Sequence, residues 1–183
     1  FEFFPPKSAD GRAGLMKVVH NLGKYNPLYV SVTYGAGGST QDRTFNTLKW
    51  IKEETKLNVM SHLTCIGATR KTMENLLMDY ISNGIDNVLA LRGDPPKNMP
   101  DFDPTKGEFK YAKDLVEFVK KYNYFSIAIA VHPEGHFQSP SIEKDMEYTK
   151  MKVDAGADFG ITQMFFDNKY YYDFMDRALK LGI

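Results

Sequence analysis

Short apolar, β-branched runs recur along the chain at 28–33, 58–64, 87–91, 126–131 and 159–166, with 1–4 as a shorter first member. Each predicts a strand. The runs are nearly continuous rather than alternating, which is the pattern of a parallel sheet whose strands are covered on both faces. Amphipathic stretches separate them. Met73, Leu76, Leu77, Tyr80 and Ile81 keep the spacing of one helical face, and Gly84 follows where such a helix would end. Leu115, Phe118, Val119 and Tyr122 repeat the pattern. So do Ile142, Met146, Thr149 and Val153, with Ser141 as the expected N-cap and Gly156 past the end. Six strand–helix units result, and the fold class is α/β.

Two architectures accept such a repeat, an open doubly wound sheet and a (β/α)₈ barrel. Either places its ligand at the C-terminal ends of the strands. Polar groups stand at six successive strand ends: Glu2, Thr33-Tyr34-Gly35, His62-Leu63-Thr64, Arg92-Gly93-Asp94, His132-Pro133-Glu134-Gly135-His136 and Thr162-Gln163. A doubly wound sheet concentrates its site at one switch point, so this spread favours the TIM-type barrel. A barrel takes about 250 residues, so a chain of 183 represents about six of the eight units, as one incomplete barrel domain, 1–183. Six units leave two sheet edges unpaired, from which a homo-oligomer is expected.

Composition narrows the partners. Lys plus Arg and Asp plus Glu are both 23, so the basic excess that nucleic acid binding needs is missing. No apolar run approaches the roughly 18 residues of a membrane helix, and residues 1–7 lack the layout of a signal peptide, although the chain begins with Phe1 rather than Met. A single cysteine, Cys65, forms no internal disulfide and suits a reducing, cytoplasmic compartment.

The polar motifs each admit a plain reading. Gly35-Ala36-Gly37-Gly38-Ser39-Thr40 opens a helix after a strand but lacks both phosphate-loop fingerprints, so a tight turn with Ser39 or Thr40 as N-cap is expected. His132 and His136 are four apart, yet Pro133 and Gly135 spoil the helix that a zinc-binding H-E-x-x-H pair needs. With His62 they could form a loop-borne metal site for a barrel lyase or hydrolase, or serve as ordinary hydrogen-bonding histidines. Arg92-Gly93-Asp94 places a cation, a flexible residue and an anion at a strand end. A surface Arg–Asp pair and a ligand site both fit.

Six segments, in order and spacing, resemble methylenetetrahydrofolate reductases, and the style is that of the bacterial, single-catalytic-domain enzymes. They are Phe1-Glu2-Phe3-Phe4-Pro5-Pro6-Lys7, Ser31-Val32-Thr33-Tyr34-Gly35-Ala36, His62-Leu63-Thr64-Cys65, Ala90-Leu91-Arg92-Gly93-Asp94-Pro95, Val153-Asp154-Ala155-Gly156-Ala157-Asp158 and Ile161-Thr162-Gln163. The resemblance implies a (β/α)₈ barrel holding FAD. In that family NADH or NADPH reduces the flavin, which reduces 5,10-methylenetetrahydrofolate to 5-methyltetrahydrofolate in a ping-pong sequence. A truncated, inactive flavin-binding paralogue is the other reading that the resemblance leaves.

Residue by residue, the resemblance implies catalytic roles for Glu2, as the acid that assists opening of the folate ring, and for Asp94, beside flavin and folate. With Gln163, which would read the pterin, these also form the folate site. A carboxyl among Phe1, Phe3 and Phe4 is expected to be desolvated and so to hold a proton near neutral pH. Implied FAD contacts are Thr33, His62, Arg92, Gly93, Asp94, His136, Asp145 and Lys152, with His132 where many members carry Tyr. Asp145, Tyr148 and Lys152 stand at i, i+3 and i+7, a polar stripe able to reach one ligand or to be a solvated face. No metal is implied.

Overall fold

The computed structural model describes residues 1–34, 38–95, 103 and 107–183. Among the described residues six strands alternate with six helices: β1 (Glu2–Phe3), α1 (Ala9–Gly23), β2 (Val30–Val32), α2 (Gly38–Thr55), β3 (Val59–Thr64), α3 (Arg70–Ser82), β4 (Asn87–Leu91), α4 (Ala112–Lys120), β5 (Ser126–Val131), α5 (Ile142–Asp154), β6 (Phe159–Thr162) and α6 (Asn168–Lys180). All pairings are parallel and the sheet order is β1-β2-β3-β4-β5-β6. Sequential order is the barrel pattern, since a doubly wound sheet reverses at its switch point. The sheet curls into a TIM-type half-barrel of six strand–helix units.

Alternation along each strand sends successive side chains to opposite faces. On the convex face Val30, Val32, Val59, Leu63, Val88 and Ile127 pack under Val19, Leu48, Ile51, Leu77, Leu115 and Val119 of the helices as one buried cluster. Each such side chain contributes roughly 1.5–3 kcal/mol on leaving water. On the concave face a second, smaller cluster forms from Met60, Leu89 and Ala128, with Tyr29, Leu91 and Ile161 against it. The convex core also encloses a polar pair, because Ser61 sits beneath α3 with its hydroxyl 2.7 Å from the buried Tyr80 hydroxyl.

Helix ends follow their capping chemistry. Ser8, Thr69, Ser141 and Asp167 each accept a backbone N–H of the first turn that would otherwise lack a partner. Four expectations need correction. The sixth strand stops at Thr162, not at residue 166, because its partner β5 ends at Val131 and the chain then leaves through Pro133, which has no N–H to extend a ladder. Tyr122 lies past the end of α4, yet its ring still packs edge-on against Phe118 and Phe125. Ile142 opens α5 about a third exposed, and the buried face there is Asp145, Met146 and Thr149. Ser39 and Thr40 stand inside α2, which starts at Gly38, so neither is its N-cap; residues 35–37 lie outside the described residues.

Candidate active site at the strand ends

The C-terminal ends of the strands open over the apolar floor of Met60, Leu89 and Ala128. Glu2 at β1 and His62 on β3 meet there across the intervening strand, with Oε2 and Nε2 3.3 Å apart. The imidazole is buried and the carboxylate half-exposed. Burial pushes the His62 pKa down, and the nearby Glu2 opposes that only in part, so the ring is neutral at pH 7. The approach lacks hydrogen-bond alignment, which leaves Nε2 a buried nitrogen without a hydrogen-bond partner among the described residues. The phenylalanine enclosure expected around Glu2 is absent. Phe3 points to the convex core while Phe1 and Phe4 are exposed, so the carboxyl is not desolvated by them.

Thr33 follows β2. Its N–H donates to the Phe3 carbonyl at 2.9 Å, and its own carbonyl accepts the hydroxyl of the fully buried Thr44 at 2.9 Å. Thr44 thus fixes the exit of β2 from the first turns of α2. No spacing in the sequence marks it, because the link exists only once α2 folds back on the strand.

At the end of β4 the backbone turns sharply at Gly93, whose φ is +87°. A Cβ there would stand 2.9 Å from both Ile66 Cγ2 and Thr64 Cβ. Only glycine fits, since the positive φ and the close approach to the β3 exit both exclude a side chain. The Ile66 N–H donates to the Arg92 carbonyl at 2.9 Å, tying the two strand ends together. Arg92 reaches away from Asp94: its Nη2 donates to Gln138 Oε1 at 2.9 Å and its Nε to the Gly93 carbonyl at 3.4 Å. Asp94 is exposed at the rim.

Beyond β5, His132 and His136 meet edge to face with centroids 4.7 Å apart, and Phe137 stacks on His136. Burial and the neighbouring His136 push the His132 pKa down, with Asp145 opposing. Asp145 accepts the His136 N–H at 3.1 Å and the Ser139 hydroxyl at 3.0 Å. Lys152 donates to the Ala130 carbonyl at 2.7 Å, and burial lowers its pKa while Asp145 supports its charge. The stripe read from spacing therefore splits. Asp145 and Lys152 turn toward β5, whereas Tyr148 stays partly exposed beside the Lys144 ammonium. Gln163 is exposed past β6, two residues beyond Ile161 and on the same side by alternation. The three-histidine ligand set is not assembled. His62 faces Glu2, His132 faces His136, and no three His, Cys, Asp or Glu among the described residues converge on a metal position.

Arranged in this way, the strand ends offer a close carboxylate–imidazole approach at β1 and β3, an exposed carboxylate at β4, and two cations with two imidazoles around β4 and β5. No helix among the described residues is long and apolar enough to cross a membrane.

Among solved structures, the chain is similar to a putative deoxyribose-phosphate aldolase from Toxoplasma gondii, with a TM-score of 0.59 at 14% identity over 98% of this chain and 70% of that one. That likeness concerns the fold alone. In sequence it is 43% identical to the 5,10-methylenetetrahydrofolate reductase of Salmonella typhimurium over its whole length and 60% of that protein. It is 40% identical to the methylenetetrahydrofolate reductase (NADH) 1 of Arabidopsis thaliana, across 33% of that protein. The chain spans about 60% of the length of the bacterial relatives it matches. The family model for methylenetetrahydrofolate reductase matches residues 1–183, and the chain belongs to that family.

Proposed function

We propose that the protein carrying this chain reduces 5,10-methylenetetrahydrofolate to 5-methyltetrahydrofolate with NADH or NADPH, using FAD held over the concave strand ends. The observation that carries this reading is the Glu2–His62 pair standing over an apolar floor, with Arg92 and Lys152 on the side toward β4 and β5. These residues fit FAD. A flat tricyclic ring needs an apolar bed, a diphosphate needs cations, and ribityl hydroxyls need acceptors and donors such as Thr33 and the unpartnered His62 Nε2. In this reading Thr33, His62, Arg92, Gly93, Asp94, His132, His136, Asp145 and Lys152 hold the cofactor. When bound, the flavin supplies reversible hydride transfer between nicotinamide and folate.

The chain's own groups then divide the remaining work. Glu2, half-exposed, relays a proton from solvent to the folate nitrogen whose bond to the one-carbon unit breaks, and its neighbour His62, neutral through burial, sets no fixed cation against that carboxyl. Asp94 at the open rim supports the positive charge that develops on the one-carbon unit. Gln163, with one donor and one acceptor group, reads the pterin edge. Arg92 and Lys152 would hold the diphosphate, the first through a planar fork and the second as a point charge.

A visible spectrum of the purified protein tests the reading. Bands of oxidised flavin that bleach with NADH under anaerobic conditions, and return on adding 5,10-methylenetetrahydrofolate, are expected. A flavin that neither NADH nor NADPH bleaches would instead identify an inactive flavin-binding paralogue, and a colourless protein would end the proposal.

A further inference from the structure

The loop joining β5 to α5, residues 132–141, is held from two sides. From α5, both Asp145 carboxylate oxygens are engaged, one by the His136 N–H and one by the Ser139 hydroxyl. From the end of β4, Arg92 Nη2 donates to Gln138 Oε1 at 2.9 Å, although 46 positions separate the two in sequence. Gln138 is itself anchored, since its N–H donates to His136 Nδ1 at 3.1 Å. The turn that makes this possible closes at Gly135, with φ +82° and its N–H on the His132 carbonyl at 2.9 Å. The Gln138 backbone is thus anchored, and its exposed side-chain amide accepts from a long, flexible cation.

An arginine side chain loses roughly 2 kcal/mol of rotamer freedom when ordered. A tether formed before the ligand arrives removes that cost from binding. The guanidinium has five N–H donors, and the bonds to Gln138 and Gly93 use two of them. The fork can therefore keep its tether while it engages an anion.

We propose that Gln138 is a positioning residue for Arg92: it holds the guanidinium between the ends of β4 and β5, set in advance for the phosphate groups of a dinucleotide. The inference rests on the flavin reading given above for this site. It adds a residue that touches no ligand and acts through the arginine alone.

The experiment has one arm without flavin and one with it, on the full chain. In the ligand-free protein, ¹⁵N relaxation of the Arg92 Nε–H is compared among the wild type, Gln138→Leu and Gln138→Glu. Order is expected in the wild type and in Gln138→Glu, which keeps an acceptor at the same reach, and is lost in Gln138→Leu. In the second arm, FAD and riboflavin are titrated by fluorescence quenching. Gln138→Leu is expected to weaken FAD roughly tenfold and to leave riboflavin, which has no phosphate, within about twofold of the wild type. Gln138→Glu should retain most FAD affinity. An Arg92 Nε–H equally ordered in wild type and Gln138→Leu overturns the inference, as does an equal loss of FAD and riboflavin, which would mark a general structural role. A wild type that binds neither flavin defeats the cofactor reading instead, and the relaxation arm then decides the tether alone.

Discussion

The two faces of the sheet are built from the same six strands and do opposite work. The convex face is a continuous apolar cluster under the helices, whereas the concave face has a small apolar floor and, above it at the strand ends, Glu2, His62, Arg92 and His132. Residue alternation means that neighbours in sequence serve different ends: Leu63 is fully buried in the convex core, and His62 beside it faces Glu2. Stability and chemistry are therefore separable in this fold by a shift of one residue.

The strongest way to break that contrast is from the convex side. Leu63→Ala is expected to lower stability by about 2–5 kcal/mol through lost contact and the cavity left under α2 and α3. Urea denaturation measures it, and a loss under about 1 kcal/mol would mean that the convex face does not dominate the fold. Next comes Glu2→Gln on the concave side. Folate reduction should fall by roughly 10²-fold or more, with NADH oxidation by an artificial acceptor and the unfolding midpoint close to wild type. Equal loss in both activities would remove Glu2 from the proton-delivery role.

Gly93→Ala tests the boundary between the faces. A methyl at φ +87°, 2.9 Å from Thr64 and Ile66, should cost about 1–3 kcal/mol. Thermal unfolding reads it directly, and an unchanged midpoint would show that the β3 and β4 exits part freely. The smallest effect sharpens the comparison by pH. His62 folds with its pKa below the ordinary value near 6.5, so below that pH the unfolded chain binds more protons and folding weakens as pH falls. That contribution is constant above about pH 6.5. His62→Gln should therefore flatten the stability loss between pH 7 and 5.5 without altering the convex-face variants' relative order. Identical slopes for variant and wild type would deny His62 that share.

Much of this organisation was legible in the residues themselves. Val30, Leu63, Val88 and Ile127 belong to apolar runs that only a doubly covered strand explains, and sequential barrel order followed from polar groups at every strand end. Two things escaped. Glu2 and His62 are 60 positions apart on strands that do not pair, and the curl of the sheet, not any spacing, brings them together. Spacing left Asp145 and Lys152 open between a ligand-facing stripe and a solvated face, because helical periodicity reports which residues share a face, not which neighbour that face meets. Thr44 and Gln138 carry no signature at all, since each acts through a single hydrogen bond to a distant turn.

The sequential strand order has a kinetic meaning. Glu2 pairs beside Ser31, Val30 beside Val59, Met60 beside Asn87 and Ala128 beside Phe159, so most strands find their partner about thirty residues later in the chain. No pairing among the described strands waits for a distant segment, and loop closure over such short spans is entropically mild. Each strand's partner is therefore translated soon after the strand itself, in the order in which the sheet is laid out.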